Sequence, residues 1–70
     1  MSVEGKFFVF CLEMYKTAKN MTGRQVMALF KRYGVIDYIV SCYDALHTTG
    51  IEYIINDIDI FIEARRYDIL

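Results

Sequence analysis

Met21-Thr22-Gly23-Arg24-Gln25-Val26-Met27-Ala28-Leu29-Phe30-Lys31-Arg32-Tyr33-Gly34 holds the signals that start, fill and stop one helix. Thr22 and Gln25 stand at capping-box spacing. The threonine hydroxyl accepts from the amide of Gln25, and the glutamine side chain reaches back to the amide of Thr22. Met21 before the cap and Val26 beyond it have the spacing of a hydrophobic staple. Val26, Leu29, Phe30 and Tyr33 then recur at i, i+3, i+4 and i+7, the signature of one buried helix face. Gly34 suits the left-handed residue that ends a helix.

Working outward, the short connection at Gly34 makes the helices on either side of it neighbours in space. Ile39, Cys42, Tyr43 and Leu46 repeat the apolar spacing in a third helix. It begins near Val35 or is capped by Asp37, and it runs out at His47-Thr48-Thr49-Gly50. Upstream, Phe8, Cys11, Leu12, Tyr15 and Ala18 form the stripe of a first helix from about Val3 to Ala18. Lys6, Glu13 and Lys16 fall opposite. Val9 projects from that polar side and Phe10 from its edge, so both are candidates for contact with a second chain. The plainer reading of the helix is a broad stripe buried in a bundle.

The last segment supports two readings. Thr49-Gly50-Ile51-Glu52 has the form of a second capping box, implying a helix from Gly50 onward with Ile51, Ile54, Ile58 and Phe61 on its apolar face and Asp57 at the margin. Against it stands the β-favouring run Tyr53-Ile54-Ile55, followed by start signals: Asn56 as cap, Ile55 and Ile60 as staple, and Asp57 and Asp59 against the positive helix end. The expectation adopted is an extended stretch over Glu52–Ile55 and then a helix from Asn56 to Arg66. The fold class expected is therefore all-α: one small domain over residues 1–70, with about four short helices and one extended segment before the last.

A chain of 70 residues is small enough for stability to be marginal, since such a domain buries only about 60% of the surface its unfolded chain exposes. Yet 56% of its residues are hydrophobic, more than a core of this size readily absorbs. A second copy or another protein would cover the remainder. With 8 Lys+Arg against 9 Asp+Glu, and no basic run longer than two, nothing here tracks a phosphate backbone, and nucleic-acid binding is disfavoured. Cys11 and Cys42 lack metal spacing and sit among apolar neighbours, as free thiols of a reducing cytoplasm do. The Phe7–Leu12 run is short for a signal-peptide core and far short of a membrane span.

Reactive chemistry is scarce. His47 is the single histidine, and at a helix end its expected work is to hydrogen-bond the last carbonyls and favour the dipole. Asp57 and Asp59 are two apart, so on a helix they diverge rather than converge on a metal. No phosphate loop, zinc spacing or nucleophile motif appears. Catalytic, metal and cofactor residues are accordingly expected to be none. Six tyrosines outnumber five phenylalanines, and tyrosine suits a contact surface because its ring packs while its hydroxyl stays wet. Tyr38 and Tyr53 therefore join Val9 and Phe10 as candidate interface residues. Thr22, His47 and Asn56 are the candidate capping or functional positions.

The run from Thr22 to Arg66 resembles a family of short bacterial proteins classed as domain of unknown function 3791. Thr22-Gly23 with Val26, Leu29-Phe30, Tyr33-Gly34-Val35-Ile36-Asp37-Tyr38-Ile39, Leu46-His47-Thr48-Thr49-Gly50 and Tyr53-Ile54-Ile55-Asn56-Asp57-Ile58-Asp59 carry the resemblance. Phe8 to Tyr15 also looks like the family's opening helix. The resemblance implies no catalytic residue. Such families often lie beside genes for larger proteins, some resembling ADP-ribosylating toxins, which implies a partner or antitoxin role. Together these readings predict a non-enzymatic interaction domain that pairs with itself and docks on a larger protein. A small dimeric DNA-binding regulator is the alternative.

Overall fold

Ser2 opens the first of five helices in the computed structural model, which describes residues 2–69, with side chains described through residue 66. The side chain of Tyr67 lies outside the described residues. The helices are α1 (Val3–Lys19), α2 (Gly23–Tyr33), α3 (Val35–Ser41), α4 (Tyr43–Leu46) and α5 (Ile51–Ile69). The all-helical bundle expected from the periodicity is the observed architecture. α1 lies centrally, packed against α2, α3 and α5.

Local signals explain most boundaries. The Ser2 hydroxyl accepts from the Gly5 amide at 3.0 Å, and Asn20 ends α1 in the left-handed region at φ 55°. α2 has the complete reciprocal cap: Gln25 N–H donates to Thr22 Oγ1 at 3.1 Å, and Thr22 N–H donates to Gln25 Oε1 at 2.9 Å. Gly34 stops α2 at φ 71°, where a side chain would be strained.

Each helix contributes one stripe to a single core. Cys11 and Tyr15 come from α1; Val26, Phe30 and Tyr33 from α2; Val35 and Ile39 from α3; Leu46 from α4; and Ile54, Ile58 and Ile62 from α5. Phe30, fully buried, meets Tyr15 edge-on at 5.2 Å between centroids and Phe8 at 6.3 Å. Burying a side chain of this size is worth about 1.5–3 kcal/mol, so a few such rings hold the small bundle together.

Two expectations need correction. The third helix is not continuous to Leu46: at Cys42 the backbone leaves the helical region (φ −100°, ψ 17°), dividing it into α3 and α4. This break still lets Leu46 reach the core. More consequentially, Glu52–Ile55 is not extended, and Asn56 is not a cap. α5 begins at Ile51 and runs through both, with the Ile54 amide bonded to the Gly50 carbonyl at 3.1 Å. Ile54, Ile58 and Ile62 fall at i, i+4 and i+8 on one buried line, which only a helix aligns. The β preference of Tyr53-Ile54-Ile55 yields to that packing, since no neighbouring strand exists among the described residues to satisfy an extended backbone. Thr49 does not complete the second capping box either. Its hydroxyl donates backwards, to the Leu46 carbonyl at 2.7 Å.

Candidate interaction surface

Val3, Phe7, Phe10 and Met14 stand at i, i+4, i+7 and i+11 along α1, one row beside the buried line of Cys11 and Tyr15. Val3 is 59% exposed and Phe10 46%, large fractions for apolar side chains in so small a protein. Phe7, half-buried, stacks on Phe10 with ring centroids 6.4 Å apart. Its other side meets Tyr43 of α4 edge-on at 5.4 Å. Tyr43 in turn stacks on His47 at 4.4 Å and 10° between planes. Four rings thus run from the outer edge of α1 across to the end of α4, while Val40, also exposed, lies one turn before Tyr43.

His47 occupies the place that sequence assigned it. Its Nδ1–H donates to the Tyr43 carbonyl at 2.7 Å, a second bond to the oxygen that already accepts the His47 amide at 2.9 Å at the end of α4. The exposed ring also extends the aromatic row.

The four candidate contact residues do not form one surface. Phe10 belongs to the aromatic row. Val9, two residues from buried Cys11, faces away from the core among polar neighbours. Tyr38 and Tyr53 lie on the α3–α5 side. Tyr53 is 61% exposed and shares the outer line of α5 with exposed Ile60. Tyr38 stacks on Phe61 at 4.1 Å, and its hydroxyl donates to Asp57. Sequence reasoning passed over Val3, Phe7 and Ile60. The row at i, i+4, i+7 and i+11 in α1 was the available signal, masked by the stronger stripe through Phe8, Cys11 and Tyr15.

Arg65 lies over the Phe61 ring at 4.6 Å. With Gly34, Asp37, Tyr38 and Ser41, these two residues line a shallow groove of about 270 Å³. The acid Asp37 and the cation Arg65 stand on different helices.

Asp57 and Asp59 diverge as their helical spacing requires. They flank buried Ile58, one accepting from Tyr38 of α3 and the other from Tyr15 of α1. Their place is the middle of α5, not the helix start expected for them. Cys11 is fully buried, and that burial pushes its thiol up to about 11, away from the thiolate a nucleophile needs. Cys42 is half-buried at the α3–α4 break. Among the described residues no cluster of three or more His, Cys, Asp or Glu is placed to hold a metal ion. No described helix is long and apolar enough to cross a membrane.

Residues 6–65 match the model of a family described as "Protein of unknown function (DUF3791)". No curated protein and no solved structure matches the chain.

Proposed function

We propose for this chain, which belongs to the DUF3791 family, a non-enzymatic role in the cytoplasm: it pairs with itself and docks on a larger protein, in the manner of an antitoxin. The observation that carries the pairing is the aromatic row of Phe10, Phe7, Tyr43 and His47, with Val3 beside it. Each half-exposed ring leaves apolar area in water that a second copy would remove. Burying a few such side chains, at about 1.5–3 kcal/mol each, offsets the cost of association at micromolar concentration. Two copies of one row meet naturally across a two-fold axis. Light scattering over a dilution series tests this: a mass near twice 8.2 kDa is the expected result. A folded chain that stays at 8.2 kDa at high concentration would sink it.

The second reading, a small dimeric DNA-binding regulator, has one observation in its favour. Arg24, Lys31 and Arg32 are all exposed on α2. Opposing it are the net charge of −1 and the exposed carboxylates of Asp37, Asp44 and Glu52, which repel an extended polyanion.

A further inference from the structure

α2 gathers three exposed cations, Arg24, Lys31 and Arg32, on one short helix. The ion pairs among the described residues engage Lys16 with Glu13, Lys19 with Asp59, and Arg66 with Glu63; of the other cations of α1 and α5, Lys6 on α1 enters none of these pairs and Arg65 lies over the Phe61 ring. α2 has no carboxylate of its own, and its Arg24, Lys31 and Arg32 enter none of those pairs. Arg24, Ala28, Lys31 and Arg32 fall at i, i+4, i+7 and i+8, all exposed, opposite the buried Val26, Phe30 and Tyr33. Arg24 and Lys31 mark the ends of a line roughly 10 Å long at 1.5 Å per residue, with the small Ala28 between them. Arg32 lies over the Tyr33 ring at 5.6 Å, which limits its freedom before any partner arrives. The helix beneath is anchored by its cap and by three core residues, so the face is rigid.

We propose that this outer face of α2 is the surface that docks on the partner protein, and that it receives an acidic segment. Arg24, Lys31 and Arg32 each take a carboxylate, and Ala28 lets the partner's backbone approach. The proposal rests on the reading that the chain docks on another protein, and it is independent of self-pairing through the α1 row. Charge complementarity selects a short acidic segment over a nucleic acid. Three cations release counterions from only about three phosphates, too few for the salt-driven affinity of a nucleic-acid binder. Beyond the face, an extended polyanion would run into a chain of net charge −1. A short acidic segment can end within the face.

The test is amide chemical-shift mapping of the full chain at low ionic strength. The probes are a short peptide of alternating Asp and Glu, its Asn and Gln counterpart, and a short DNA duplex. The expected result is shifts centred on residues 24–32 with the acidic peptide alone. In the variant R24Q/K31Q/R32Q its affinity should fall roughly threefold or more, each exposed pair contributing a factor of about 1.4 to 5. No shifts with the acidic peptide, or shifts unchanged in the triple variant, would overturn the proposal. Duplex DNA bound more tightly through the same residues would transfer the face to nucleic acid. Shifts at α2 that grow with protein concentration alone would transfer it to a second copy. Light scattering on the same samples keeps the two surfaces apart. Lost peptide binding at unchanged mass reports on α2, and lost dimer mass at unchanged peptide binding reports on α1.

Discussion

Tyr15 of α1 donates its hydroxyl hydrogen to Oδ1 of Asp59 on α5 at 2.7 Å, joining residues 44 positions apart in the chain. Lys19, one turn further along α1, reaches the other carboxylate oxygen at 2.6 Å. On the opposite flank of Ile58, Asp57 accepts from Tyr38 of α3. The last helix is therefore held by its apolar line in the middle and by a phenol–carboxylate bond on each side. A rotation of α5 about its axis would break one bond or both, so the pair reinforces the orientation that burial of Ile54, Ile58 and Ile62 sets.

Replacing Tyr15 with Phe keeps the ring against Phe30 and removes the bond to Asp59. The expected loss is about 1 kcal/mol at neutral pH, read as a lower urea midpoint. The same bond shapes the alkaline limb. Burial and then Asp59 raise the ionisation of Tyr15, and the bond to Asp57 and then burial raise that of Tyr38, both from an ordinary 10.0. Above that value the unfolded chain releases protons that the folded chain keeps, so stability falls as pH rises through it and is unaffected by these groups below it. Cys11, raised from 9.0 to about 11, adds a loss of the same sign that begins lower. Tyr15→Phe should therefore flatten the midpoint's decline with pH; a decline as steep as the parent's would show that Tyr15 does not contribute.

Thr22→Ala removes the acceptor at the start of α2. The expected cost is about 1 kcal/mol in denaturant unfolding, with the amide of Gln25 exchanging faster. An unchanged midpoint would mean that water replaces the cap without penalty.

Asn56→Ala distinguishes a helix interior from a helix start by sign. Asn56 is exposed inside α5, where Ala is the better helix former, so stability should rise by roughly 0.5 kcal/mol. A loss of about 1 kcal/mol is what removing a cap would produce, and would return the segment before it to an extended form.

Phe10 and Val9 are adjacent, similarly exposed and on different sides of α1. Phe10→Glu places a charge in the aromatic row and should move the light-scattering mass toward the monomer. Val9→Glu should leave the mass unchanged. Equal effects from the two substitutions would remove the row from the interface.

How much of this was legible in the sequence depended on the range of the interaction concerned. The cap, staple spacing and glycine stop of α2 are local: the groups that satisfy its terminal amides lie within three residues, so the string Thr22 to Gly34 determines the element by itself. The length of α1 and the capping bond of His47 were readable for the same reason. The end of the chain was not. Tyr53-Ile54-Ile55 prefers an extended backbone in isolation, and Asn56-Asp57 offers a plausible cap, so local preference pointed to a break. Only the other helices decide against it, because Ile54, Ile58 and Ile62 reach the core together on one helical line and Asp57 and Asp59 find their phenols on α3 and α1. The aromatic row had the same character. Phe7 and Phe10 share a side by helical period, but the ring that extends them belongs to Tyr43, 36 positions after Phe7, and its placement follows from the break at Cys42. Sequence by itself determined where helices start and stop when the partners are a few residues away. Tertiary structure decided what the ambiguous run became and which rings share a surface, because burial of a common face outweighs a local preference worth less than about 1 kcal/mol per residue.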